Sequence, residues 1–297
     1  MTDQVELEKL AAILEDSGDY RILRRLKPRT AAGALADGES RIGLFVDVET
    51  TGLDPERDEI IEIAMLPFRY SLDGVVIEIL EPFDRLREPS TPIPQAVTAL
   101  TGITDDMVAG QKIELSEISE FAGPADLVVA HNAAFDRRFL ERFSQTFSTK
   151  PWACSMAEID WAAEGFEGTK LAYLAADHGF FYERHRAAND CLAAVELLSR
   201  TMPRSGVSGL ARLLAQARQT TWRIWAENSP FELKDTLKAR GYRWSGGDAR
   251  HPKAWHIDVL DAQKEAEIEY LCREIYKRPT KFRATKITAY DRYSSRI

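Results

Sequence analysis

Apolar positions recur along the middle of the chain with two spacings, and together these spacings predict strands that alternate with helices. Residues 43–48 and 127–130 are short apolar runs of strand-forming side chains, and the first run leads to a turn-like sequence at residues 50–52. Residues 60–68 and 75–82 have the same character and are expected to form a meander with the first strand. The central part of the chain is therefore expected to alternate strands and helices, as in the α/β class.

Changes in pattern divide the chain into three parts. Residues 1–40 predict a helical N-terminal arm packed on the main domain, and residues 30–38 of this arm are small and linker-like. Residues 41–203 form the central domain, and the Pro- and Gly-containing sequence at 202–206 predicts a hinge. Residues 204–297 predict a small α+β C-terminal domain with a basic tail.

Two basic segments have two interpretations each. Arginines and lysines cluster within residues 21–29, where a solvated helix face is favoured over a contact with phosphates. The tail from residue 273 onward mixes basic and aromatic side chains, which suits either a grip on nucleic acid or a solvated, disordered terminus. The four tryptophans of the C-terminal part are interpreted mainly as core, although some could stack on bases.

Composition excludes several classes of protein. The chain has 297 residues, of which 44% are hydrophobic and 29% charged, so a large core is expected. A net charge of −8 argues against general adhesion to nucleic acid, and any such binding must use local patches. The three cysteines lack the CxxC spacing of a zinc knuckle, and no apolar run approaches a membrane span. A cytoplasmic protein without a membrane partner is expected.

Acidic residues at the end of the first predicted strand are the first candidates for chemistry. Asp47 and Glu49 are two positions apart, so on a strand both side chains point to the same face. Two such acids repel unless a cation lies between them, and oxygen ligands favour Mg²⁺ or Mn²⁺ over Zn²⁺. An isolated Asp-x-Glu sequence is more often a solvated strand end.

Further candidates follow the second apolar run and precede a helix near residue 190. Asp136 is expected near the start of a helix whose apolar side chains include Phe139 and Phe143. Asp190 is expected inside or at the start of another helix, and His185 lies five positions earlier in a loop or first turn. Taken singly, Asp136 could be a helix-stabilising charge and His185 an ordinary boundary residue.

Taken in order, these segments resemble the DEDDh, or DnaQ-like, family of 3′–5′ exonucleases, which includes the proofreading subunit of bacterial DNA polymerase III. The resemblance covers approximately residues 42–202 and rests on FVDVETTG, AHNAAFD and HRAAND. It implies an RNase H-like fold with a mixed five-stranded sheet and two metal ions, Mg²⁺ or Mn²⁺, per active site. It also implies His185 as general base, and these four metal ligands: Asp47, Glu49, Asp136 and Asp190. A weaker resemblance links residues 230–255 to a small α+β module appended to bacterial exonuclease-like proteins.

The same resemblance suggests which residues hold the substrate. In the family, the backbone after the first motif meets the terminal nucleotide and reads its 3′ hydroxyl, which implies Thr50 and Thr51. Candidates around the last base or beside the acids are Leu53, Leu100, Ile103, Asn132 and Phe135. For Leu100 and Ile103, a place in the core is an equal alternative.

The expected function is metal-dependent removal of nucleoside 5′-monophosphates from a single-stranded or frayed 3′ end, with DNA favoured. Two ions about 3.5–4 Å apart can divide activation of water and stabilisation of the leaving oxygen. One alternative is an exoribonuclease that trims RNA or degrades oligoribonucleotides. Another is a nucleic-acid-binding polymerase-accessory subunit, with a polymerase or repair partner docked on the C-terminal domain. A free-standing role in repair or turnover is favoured over stable proofreading assembly.

Overall fold

The computed structural model describes residues 4–27 and 39–297, and it begins with an exposed helix. Helix α1 (Gln4–Asp16) has no buried residue, so it does not show the expected packing on the main domain. Its Leu7, Leu10 and Ile13 are 49–65% exposed. The helix is instead tied to Arg24 through ion pairs from Glu8 and Glu15. The predicted linker at residues 30–38 lies outside the described residues.

The described part of the basic cluster, residues 21–27, lies in extended chain and not on a helix face. Strand β1 (Arg24–Arg25) pairs in parallel with a two-residue strand at Phe180–Phe181. Arg21 contacts Asp177 at 3.2 Å, and Arg25 contacts Glu183 at 3.0 Å. These arginines therefore already have carboxylate partners, which weakens the interpretation as a phosphate contact.

A mixed sheet forms the centre of the molecule. Its strands are β2 (Ser40–Thr50), β3 (Ile60–Ser71), β4 (Val76–Ile79), β5 (Phe83–Leu86), β6 (Leu127–Ala130) and β7 (Trp152–Cys154). The order is β4-β3-β2-β6-β7, with β5 also paired to β3. Strands β2, β3 and β4 form the expected antiparallel meander, whereas β6 and β7 run parallel to β2.

The described sheet has six strands where five were expected, because the edge beside β3 is interrupted. The pattern predicts one strand over residues 75–82, but β4 ends at Ile79 and β5 begins at Phe83. Pro82 lies in the gap and has no backbone N–H, so it cannot donate a ladder hydrogen bond there. The expected α/β class and RNase H-like mixed sheet are otherwise confirmed.

Helices cover both faces of this sheet. These α-helices are α2 (Gln95–Thr101), α3 (Asp105–Val108), α4 (Leu115–Ala122), α5 (Ala133–Phe143), α6 (Trp161–Glu164), α7 (Leu171–Asp177), α8 (Ala187–Ser199) and α9 (Gly209–Ala217). A 3₁₀ turn spans Gln145–Thr149, and the short strand β8 (Phe180–Phe181) lies between α7 and α8. Consecutive residues of β2 point to opposite faces of the sheet and enter two different cores. Phe45 packs with α7, α8 and α9, whereas Val46 packs with α4 and α5. Helix α9, which the predicted division places after residue 203, contributes Leu210 and Leu213 to the first core.

The C-terminal part is a four-stranded antiparallel sheet with helices on one face. Its elements are β9 (Thr221–Ala226), a 3₁₀ turn (Phe231–Leu233), α10 (Lys234–Ala239), β10 (Arg243–Trp244), β11 (Trp255–Leu260), a 3₁₀ turn (Asp261–Gln263), α11 (Lys264–Tyr270), a π-helical turn (Leu271–Ile275) and β12 (Ala284–Ile287). The strand order is β10-β11-β9-β12. Trp225 is 2% exposed, whereas Trp244 is 51% exposed and packs edge-on against Trp255.

The last part of the basic tail, residues 288–297, is folded against the central domain, so the solvated, disordered alternative is wrong for these residues. Arg292 contacts Glu158 at 3.0 Å, and Arg296 contacts Glu141 at 3.0 Å. The carbonyl of Ala289 accepts a hydrogen bond from the backbone of Trp152 in β7. Every helix within residues 4–27 and 39–297 is too short or too polar to cross a membrane.

Candidate active site

Strand β2 brings the first two candidate acids to one face of the sheet. Asp47 and Glu49 occupy its carboxyl-terminal end, where Asp47 pairs with Ala64 of β3 and Glu49 with Glu62. The register shifts between Glu49 and Thr50, so the strand is irregular directly after the acids. A bulge of this kind bends the strand and redirects the chain that follows, and such bulges are common beside active sites.

Helices α8 and α5 add the other two predicted acids. Asp190 lies in the first turn of α8, and ligand oxygens of Asp47, Glu49 and Asp190 all lie within 4.8 Å of one another. Asp136 lies in the first turn of α5, is 2% exposed and accepts a hydrogen bond from the backbone of Val48 at 3.2 Å. Residues from three distant segments therefore meet at one end of β2.

The electrostatics of this cluster fit a site for cations. Burial, and then the negative charges of Asp136, Asp190 and Glu49, raise the pKa of Asp47 well above its usual range. Burial together with Asp190 and Glu62 raises the pKa of Glu49 to about 7. Burial also raises the pKa of Asp136 and of Asp190. Without a positive partner, the cluster holds protons that ordinary surface carboxyl groups lose.

The predicted histidine lies on the loop that leads into α8. His185 is partly buried and has a backbone φ of 61°, a conformation uncommon for residues other than glycine. Its backbone N–H donates to one oxygen of Asp190 at 2.8 Å. The loop thus fixes Asp190 and keeps the imidazole beside the acid cluster.

Two side chains that support the site were missed in the sequence. Glu62 is fully buried and accepts from Arg186 at 2.9 and 3.0 Å and from the backbone of Ala187 at 2.9 Å. Tyr182 donates to the second oxygen of Asp190 at 2.8 Å. A charged residue inside the apolar run at residues 60–68 was the available signal for Glu62, whereas Tyr182 gave none.

The structure separates the predicted substrate residues by exposure. Thr50 and Thr51 are 7% and 8% exposed, and the hydroxyl of Thr51 accepts from the backbone of Glu59. Leu53 is 84% exposed on the loop that follows. The side chains of the two threonines therefore shape this loop.

The remaining candidates divide in the same way. Leu100 is 57% exposed at the end of α2, whereas Ile103 is fully buried in a small core and offers no surface to a ligand. Asn132 is exposed, with a φ of 87°, immediately before α5. Phe135 packs partly against the core, with its ring 4.9 Å from that of Phe139.

Comparisons with known proteins relate this chain to PolC-type DNA polymerase III proteins and to exonuclease I. The chain is 34% identical over 160 residues to a DNA polymerase III PolC-type protein of Clostridium perfringens, which is 51% of this chain and 10% of that relative. It is 43% identical over 97 residues to the PolC-type protein of Halalkalibacterium halodurans, which is 32% of this chain and 6% of that relative. The chain thus spans a tenth or less of the length of these relatives.

Solved structures show the same fold at low identity. The metal-free form of the Escherichia coli exonuclease I complex with single-stranded DNA is 16% identical, with a TM-score of 0.50, covering 78% of this chain and 67% of that one. A second structure of exonuclease I, whose title concerns how processivity is achieved, is 14% identical, with a TM-score of 0.50, covering 84% of this chain and 63% of that one.

A family model supplies the assignment. The model described as Exonuclease (RNase_T) matches residues 44–198, which is more than half of the chain and includes all four predicted acids and the histidine. The acid cluster and the family together confirm the expected dependence on a divalent metal ion, without identifying the ion. The chain therefore belongs to this exonuclease family, and the predicted membership of the DnaQ-like group is confirmed.

Proposed function

We propose that the protein is a metal-dependent 3′–5′ exonuclease that releases nucleoside 5′-monophosphates from a single-stranded or frayed 3′ end. The observation that carries this proposal is the convergence of Asp47, Glu49 and Asp190, whose ligand oxygens lie within 4.8 Å of one another. Asp136 is buried beside them, and His185 lies on the loop that holds Asp190. This combination supplies metal ligands and a proton acceptor in one place.

The donor set fits Mg²⁺ or Mn²⁺. The clustered donors are carboxylate oxygens, which hard divalent ions prefer, and burial together with neighbouring carboxylates raises the pKa of Asp47 and of Glu49. Asp47, Glu49 and Asp190 would hold one ion, and Asp47 with Asp136 the other. Bound ions of this kind lower the pKa of a coordinated water and stabilise the charge on a leaving oxygen.

The protein's own groups have distinct tasks in this proposal. The imidazole of His185 is the proposed general base, which accepts a proton from the attacking water. Tyr182 and the backbone of His185 each donate to one oxygen of Asp190, so both fix the orientation of this carboxylate. Each oxygen keeps a second lone pair, so these bonds are compatible with metal ligation.

DNA is the proposed substrate, with RNA as the alternative. Support comes from the relatives named as PolC-type DNA polymerase III, which also make a polymerase partner a reasonable proposal. The exposed Leu53, Leu100 and Asn132 are proposed to meet the last nucleotides. Recognition independent of sequence is expected, since stacking and phosphate contacts do not distinguish bases.

The test uses single- and double-stranded DNA and RNA with a label at either end, in Mg²⁺, Mn²⁺ or chelator. The expected result is immediate release of a labelled mononucleotide from the 3′ end, stepwise shortening from a 5′ label, and no reaction in chelator. Asp47→Asn should abolish hydrolysis, and His185→Ala should slow it by a factor on the order of a hundred or more. Undiminished turnover by a purified Asp47→Asn variant, or release from the 5′ end, would refute the proposal.

A further inference from the structure

A cleft between the two folded parts of the chain is rich in arginine. It has a volume of about 420 Å³ and lies between α5 and its neighbouring loop on one side and the open face of the C-terminal sheet on the other. Charged side chains that line it are Arg138, Arg223, Arg243, Arg292, Glu158 and Asp258. Four guanidinium groups thus face two carboxylates, in a chain whose net charge is −8.

Two of these arginines are held by acids. Arg292 contacts Glu158 at 3.0 Å, and Arg223 contacts Asp258 at 2.7 Å, so each of these pairs is neutral. The side chain of Arg292 is 13% exposed and that of Arg223 is 15% exposed, so these two arginines form the walls of the cleft.

The other two arginines supply the excess positive charge. Arg243 lies 3.4 Å from Asp258, which is already paired with Arg223, and its side chain is 69% exposed. Arg138 is exposed on α5, and no ion pair involves it among the described residues. Arg138 thus has no carboxylate partner and Arg243 only a shared one, so donors of both are available to an anionic ligand.

The topology places this cleft on the same edge of the central sheet as the acid cluster. Strands β2, β6 and β7 are parallel, so their carboxyl-terminal ends lie together. Asp47 and Glu49 are at this end of β2, the exposed Asn132 follows β6, and Glu158 follows β7. Neighbouring strands are about 4.8 Å apart, so the carboxyl-terminal ends of β2 and β7 lie roughly 10 Å apart along this edge.

We propose that this cleft binds the phosphodiester backbone of the substrate strand on the 5′ side of the nucleotide being removed, with Arg138 and Arg243 as the phosphate contacts. A strand that leaves the acid cluster along this edge of the sheet passes Asn132 and reaches the two arginines. The C-terminal domain then forms one wall of the substrate path. This inference rests on the proposed function and extends it to the part of the chain beyond the family match.

The test compares a long oligothymidylate with a small chromogenic substrate, the nitrophenyl ester of thymidine 5′-monophosphate. In the double variant Arg138→Ala/Arg243→Ala, we expect the Kd for the oligonucleotide in chelator to rise by roughly tenfold or more, because charge-assisted hydrogen bonds are lost. The slope of log Kd against log salt should fall by about 0.7 for each phosphate contact removed. Hydrolysis of the small substrate in Mg²⁺ should be unchanged.

A matched control is Arg41→Ala/Arg69→Ala, which removes two positive charges where β2 begins and β3 ends, away from the acid cluster, from side chains that are 47% and 34% exposed. Equal affinity and salt slope in the cleft and control variants would overturn the proposal, as would an equal loss of activity on both substrates. Failure of the proposed function is a separate result, because wild-type protein would then hydrolyse neither substrate while the binding measurement in chelator still tests the cleft.

Discussion

At the scale of single residues, Glu49 links the chemistry of the site to the stability of the fold. Its carboxyl group has a pKa raised to about 7 in the folded protein, from an ordinary value of 4.5, mainly because it is buried and secondly because Asp190 is close. The folded state therefore binds a proton more tightly than the unfolded state between these values. This contribution to stability is complete below pH 4.5 and is lost as the pH rises through about 7.

We therefore predict that metal-free protein loses stability relative to a Glu49→Gln variant as the pH is raised from 5 to 8. Glutamine does not titrate, so the variant lacks this part of the pH dependence. Thermal unfolding in chelator from pH 5 to 8 measures this difference in stability. At pH 8, Mg²⁺ should raise the unfolding temperature of the wild type more than that of the variant. Parallel pH profiles for the two proteins would contradict the prediction.

At the scale of elements, the site depends on how β3 is joined to α8. Glu62 of β3 is fully buried, and it holds both the side chain of Arg186 and the first backbone N–H of α8. The loop that contains His185 therefore ends at an anchor in the sheet. Movement of that anchor would shift Asp190 and His185 together.

We predict that Arg186→Ala lowers the free energy of unfolding by about 1–3 kcal/mol, because Glu62 would stay buried and lose the hydrogen bonds of a partner that is 39% exposed. Arg25→Ala is a suitable control, since its pair with Glu183 is exposed on both sides and such pairs contribute about 0–1 kcal/mol. Urea denaturation of both variants gives the comparison. Equal effects would show that Glu62 tolerates the loss of Arg186, and the anchor would then lie elsewhere.

Local patterns in the sequence were sufficient for most elements of the central domain. Strand β6 occupies the four residues that were predicted, and α5 and α8 place Asp136 and Asp190 in their first turns as expected. These elements are long or strongly apolar, so their spacing is informative. The π-helical turn and β12 were missed. Strand β12 is short and half of its side chains face water, so its apolar pattern is weak.

Contacts between distant segments were only partly predictable. The acids could be grouped because a family resemblance orders them along the chain, and the structure brings Asp47, Glu49 and Asp190 within ligand distance of one another. The pairing of Glu62 with Arg186 depends on which strand lies beneath α8, and no local spacing contains that information. Packing of the tail on α5 is missed for the same reason.

At the scale of the whole molecule, the tail fastens the C-terminal part to the helix that carries Asp136. The guanidinium group of Arg137, the next residue, is fully buried and donates to the carbonyls of Tyr290 and Arg292 at 2.6 Å. It also contacts Glu141 at 2.7 Å. A buried guanidinium is costly unless its donors are satisfied, so α5 and the tail stabilise each other.

We predict that deletion of residues 288–297 lowers the free energy of unfolding by about 1–3 kcal/mol for each Arg137 donor that loses its carbonyl acceptor and stays buried. The affinity for Mg²⁺ should also fall, because Asp136 and Arg137 are adjacent on α5. Urea denaturation and Mg²⁺ titration measure the two effects, and Arg273→Ala/Lys277→Ala controls for loss of positive charge in the same region. If the truncated protein unfolded at the same urea concentration as the full chain, the tail would not be part of the exonuclease fold, and its basic residues would again be available to bind nucleic acid.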